Sequence, residues 1–71
     1  MRKIRQIADT VFELRTYESQ SGWMWEITHM PVGGDESARA IHGISRFPFV
    51  DEYDAFDEGL QMLDRIASNV P

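Results

Sequence analysis

TVFELRTYESQSGWMWEITHM, residues Thr10–Met30, holds two runs of alternating apolar and polar side chains joined by a polar link. In the first run, Thr10–Glu18, Phe12, Leu14 and Thr16 alternate with Glu13, Arg15 and Tyr17. A period of two with β-branched and aromatic residues is the pattern of a strand with one buried face. The link Ser19-Gln20-Ser21-Gly22 is polar and ends in glycine, as a hairpin connection does. In the second run, Trp23–Met30, residues Trp23, Trp25 and Ile27 project from one side and Met24, Glu26, Thr28 and Met30 from the other. The tryptophan side is the expected core side.

Downstream, Pro31–Ser37 (PVGGDES) is made of turn formers and reads as an exposed, mobile loop. Ala38–Phe49 reads as a third strand, with a bulge marked by Gly43 and an edge or end at Pro48, which lacks a ladder donor. The last element is a helix. Asp51 is placed to cap it, with Asp54 three residues on as the box-like partner. Tyr53, Phe56, Leu60, Leu63, Ala67 and Val70 recur at steps of three and four as its apolar stripe, widened by Met62 and Ile66. Gly59 interrupts the helix interior and is expected to allow close packing against the tryptophan face. Upstream, Ile4, Ile7, Ala8 and Val11 share helical spacing, so residues 1–9 are expected as a short helix or a flexible lead-in.

The expected fold is therefore α+β: a three-stranded antiparallel meander covered on one face by a C-terminal amphipathic helix, in a single domain spanning residues 1–71. A chain this short buries only about 60% of its unfolded surface. It has no cysteine to add a disulfide or a thiolate metal site, so eight aromatic residues must supply the core. No apolar run approaches the ~18–20 residues of a membrane span. The basic start, Met1–Asp9, lacks the apolar centre of a secretory signal, so a cytoplasmic location is expected.

The net charge is −5, from seven bases and twelve acids. Affinity for nucleic acid comes from cations on phosphates, which argues against that class. A minor version remains through Arg15, Arg39 and Arg46. The charge is uneven: Arg2, Lys3 and Arg5 lie in the first five residues, and six acids fall between Asp51 and Asp64 with no base among them.

Few constellations suggest chemistry. His29 and His42 have only Glu26, Asp35 and Glu36 as nearby acids, short of a convincing zinc site. Ser45 follows His42 by three residues without a nucleophile-elbow motif, and Gly33-Gly34 is no phosphate cradle. No enzyme and no cofactor are expected. A hairpin, a strand and the helix motif D-x-x-D-A-F-x-x-G, over roughly residues 11–66, loosely resemble HicB-type antitoxin domains. That resemblance would imply a sheet-and-helix domain neutralising a small basic toxin. It departs at Met30–Gly34, which lacks that family's loop. YegP-like domains show a similar W-x-W strand without a settled activity, and neither family is assigned.

The expected function is a non-enzymatic protein–protein interaction module. Asp54, Asp57, Glu58 and Asp64 on the helix would steer a basic protein partner. The alternative is a self-associating structural domain, a homodimer that extends the sheet or pairs helices.

Overall fold

The Thr10–Met30 hairpin forms the centre of the sheet. The computed structural model describes residues 1–69; Val70, the last member of the expected apolar stripe, lies outside them. Strands β1 (Arg2–Ile7), β2 (Thr10–Ser19), β3 (Gly22–Pro31) and β4 (Ala40–Ile44) pair antiparallel in the order β1-β2-β3-β4. Helix α1 (Glu52–Ser68) packs across β2 and β3 on one face. The α+β class and the covering helix are as expected, but the sheet has four strands rather than three.

The added strand is β1, where a short helix or flexible lead-in was expected. Ile4 and Ile7 are three apart, a spacing that suits one face of a helix but opposite faces of a strand. Here Ile7 stands beside the core while Ile4 faces out. A helix this short is marginal alone. Pairing with β2 instead satisfies a row of backbone groups that β2 would otherwise expose. It also brings Arg2 to Glu13 and Arg5 to Asp64. The β1–β2 turn places Ala8 at φ 53°, a positive value that disfavours a side chain.

Directly opposed residues in a sheet share a face. Leu14 opposes Ile27 and Thr16 opposes Trp25, so the helix-covered face carries Leu14, Trp25 and Ile27, as the alternation predicted. With Phe12, Ala55 and Leu63 they form the core; Leu14, Ile27 and Leu63 are fully buried. Trp23 is only partly buried at its margin.

The line of closest approach on α1 differs from the expected stripe. Ala55, Gly59 and Leu63 are buried, while Phe56, Leu60, Met62 and Ile66 are half-buried to either side. Tyr53, expected in the stripe, is 70% exposed. The small residues decide this, because they let the helix axis come near the sheet and leave bulky neighbours to fill the flanks. Gly59 sits over Leu14 of β2, so close that a Cβ there would overlap Leu14 Cδ1. Asp51 caps the helix by accepting the Tyr53 N–H at 2.7 Å, and the Asp54 side chain makes no hydrogen bond among the described residues.

The third expected strand is shorter than Ala38–Phe49. Pro31–Ser37 and the residues after it carry a 3₁₀ turn at Glu36–Ala38, capped by Asp35. A bulge follows: Ile27 opposes Gly43 and Thr28 opposes Ile41, leaving His42 as the extra residue beside Gly43. The Ser45 N–H still reaches the Trp25 carbonyl at 2.9 Å, but its hydroxyl accepts the Trp25 N–H at 3.2 Å in place of a backbone oxygen. Regular pairing stops there, and Arg46-Phe47-Pro48 arch outward. Phe49 then rejoins the sheet, exchanging two 2.7 Å hydrogen bonds with Trp23.

Candidate functional site

The two edges of the sheet are finished differently. β1 carries Arg2, Lys3 and Arg5, and charged side chains on an edge discourage another strand from pairing with it. β4 reads Ala40-Ile41-His42-Gly43-Ile44 and has no Lys, Arg, Asp or Glu. Ser45 points its N–H inward to Trp25, and amides alternate sides along a strand, so Ile44 turns its N–H away from β3 into solvent. The apolar exposure of the molecule gathers here. Of eight exposed large hydrophobic residues among the described residues, five lie between positions 41 and 53: Ile41 (64%), Ile44 (47%), Phe47 (73%), Val50 (100%) and Tyr53.

Where the β4 ladder ends, a groove of about 400 Å³ opens between the arch and α1. The β4 side supplies Ile44, Arg46 and Phe47; α1 supplies Glu58, Met62 and Arg65; Trp25 contributes from β3. Glu58 accepts the Trp25 indole N–H through Oε1 at 2.8 Å, which fixes the ring. The outward arch creates this groove, and the arch exists because Pro48 and the Ser45 hydroxyl interrupt the ladder between two points of attachment to β3.

The four helix carboxylates singled out from the sequence are not arranged in a single row. At roughly 100° per residue, Asp64 and Glu58 stand on opposite flanks of α1. Asp64 meets Arg5 of β1 at 2.9 Å, and Glu58 turns to Trp25. Asp54 and Asp57 lie exposed between them, without an ion pair among the described residues.

The uncovered sheet face is an ion-pair surface. Arg15 meets Glu26 at 3.1 Å, and Arg39 meets Glu13 at 3.1 Å and Glu36 at 2.8 Å. Hydrogen bonding from Arg39 holds the Glu36 carboxyl below its ordinary range. Arg15 and Arg39 thus sit among carboxylates on that face, while Arg46 lies apart in the groove. His29 and His42 pack edge-to-face at 5.4 Å, with Phe12 edge-on to His42 at the same distance. Among the described residues, no group of three His, Cys, Asp or Glu is placed to hold a metal ion. Ser45 is buried and donates to the Met24 sulfur at 3.4 Å.

Sequence reasoning missed the groove, because its parts come from three separated segments. The one local signal was the apolar composition of Ala40–Ile44 beside the break at Pro48. No protein-family model matches this chain, and no curated protein or solved structure matches it.

Proposed function

We propose that the chain is a small non-enzymatic protein-binding module that takes an extended segment of its partner along β4 and across the adjoining groove. The observation that carries this reading is the contrast between the edges: β1 is guarded by three cations, whereas β4 has no Lys, Arg, Asp or Glu and is flanked by exposed Ile41, Ile44 and Phe47. An added strand gains main-chain hydrogen bonds from such an edge and specificity from pockets beside it. The groove volume falls within the roughly 300–1,000 Å³ typical of ligand sites. Its lining holds a single carboxylate, already bonded to an indole, and no hydroxyl, thiol or imidazole, which favours binding over catalysis.

A displayed library of random peptides, each able to form a strand of about six residues, tests the reading. Peptides enriched on the wild type are expected to lose binding to the Ile41→Lys/Ile44→Lys variant, whose exposed substitutions change stability by no more than about 0.5 kcal/mol each. Enrichment of no peptide, or equal binding to that variant, refutes it. The same edge also favours a second reading, in which two β4 strands pair across a twofold axis. Sedimentation velocity distinguishes it: a dimer that dissociates in the same variant establishes self-association as the use of this edge.

A further inference from the structure

The groove beside β4 carries a charge signature that names the chemistry of the partner segment, an inference that rests on the strand-binding reading above. Four of the seven bases, Arg2, Arg5, Arg15 and Arg39, are in ion pairs with carboxylates of the same chain. Lys3, Arg46 and Arg65 have no such partner among the described residues. Arg46 and Arg65 come from different elements, the arch after β4 and the last turns of α1, yet both line this one groove.

In a chain with twelve acids and a net charge of −5, that is an unusual place for uncommitted cations. The single carboxylate of the lining, Glu58, accepts the Trp25 indole N–H through Oε1 and makes no ion pair with either guanidinium among the described residues. Among the described residues, the Arg65 side chain donates only to the Met62 sulfur, at 3.9 Å. Apart from the two guanidinium groups and Glu58, the lining is made by Trp25, Ile44, Phe47 and Met62.

We infer that the groove recognises an acidic side chain set beside a large apolar one on the partner strand. The apolar side chain would lie against Trp25, Phe47 and Met62, and its acidic neighbour would meet Arg46 and Arg65. A guanidinium presents a planar fork of donors that fits a carboxylate with two parallel hydrogen bonds, so two of them select an anion over a neutral group. Position agrees with chemistry. The groove begins where regular pairing of β4 stops, so a strand laid on Ile41–Ile44 delivers its next side chains over it. The surface thereby takes acidic segments, although the rest of this acidic molecule would repel them.

The test is a charge reversal with two parallel selections. Random displayed peptides are selected on the wild type and, separately, on the Arg46→Glu/Arg65→Glu variant, with circular dichroism melts verifying that both proteins fold. The wild-type pool is expected to be enriched in Asp or Glu next to Trp, Phe or Leu. The variant pool is expected to carry Lys or Arg at that place. Wild-type peptides should bind the reversed protein about tenfold more weakly, and the difference should shrink in high salt. A wild-type pool that shifts the Ile44 amide but shows no acidic excess, and binds both proteins equally, overturns this inference and leaves the strand-binding reading standing. A wild type that enriches no peptide overturns both.

Discussion

Replacing Gly59 with alanine should destabilise this protein, although the same change in an ordinary helix interior stabilises by about 1 kcal/mol. The reason is the contact with β2. A Cβ at position 59 would overlap Leu14 Cδ1 and lie 3.1 Å from Cδ2 and 3.3 Å from Cγ. Leu14 is fully buried, so it has little room to rotate away without disturbing Ile27 or Leu63. Overpacking of this kind costs about 1–3 kcal/mol. Set against the propensity gain, the net loss is about 1 kcal/mol, out of a total stability of roughly 4–10 kcal/mol for a chain of this size. A loss of that size lowers the melting temperature by about 4–8 °C.

The decisive assay is a double-mutant cycle in urea. Leu14→Ala alone should cost about 2–5 kcal/mol, because it leaves a cavity under the helix. In the Gly59→Ala background part of that cavity is filled, so Leu14→Ala should cost at least about 1 kcal/mol less there. A stabilised Gly59→Ala protein, or two changes that simply add, would refute the packing account.

Other outcomes follow from the same geometry. Glu58→Ala should cost about 1 kcal/mol by stranding the Trp25 indole N–H, and Glu58→Gln should recover most of it; equal melting temperatures for the two variants would show that the 2.8 Å bond contributes nothing. Ala8→Gly should stabilise by about 0.5–1 kcal/mol, since a side chain at φ 53° pays a penalty that glycine avoids, and an unchanged urea midpoint would contradict it. Acid should weaken the fold. Hydrogen bonds from the N-terminal ammonium and Thr16 lower the Glu52 carboxyl, and Arg39 lowers that of Glu36, both from an ordinary 4.5. The stability they add is present above that value and is lost as the pH falls below it through the folded-state value. Melting curves between neutral and acid pH check this, and Glu52→Gln should flatten the dependence.

The sequence carried the parts of this fold that obey a local period. Alternation over Thr10–Met30 placed Leu14, Trp25 and Ile27 on one face, and the Asp51 cap and helix spacing placed α1. It misled where two periods coincide or where a distant partner decides. Ile4 and Ile7 suit either a helix or the two faces of a strand, and only the available edge of β2 resolves them as β1. The helix stripe was centred on its bulky residues, whereas small Ala55 and Gly59 make the closest approach. The candidate site was the least legible. Four acids close in sequence suggested one recognition face, but Asp64 and Glu58 turn to opposite flanks. Trp25, Arg46 and Arg65 meet only through tertiary packing.

The β4 edge is tested most directly by amide hydrogen exchange at Ile44, with and without a peptide selected on the wild type. The Ile44 N–H points away from β3, whereas the Ser45 N–H is already bonded to Trp25. Strand addition predicts that exchange at Ile44 slows markedly on binding while Ser45 changes little. A bound peptide that leaves Ile44 exchanging at its free rate would contradict the assignment of β4 as the binding edge.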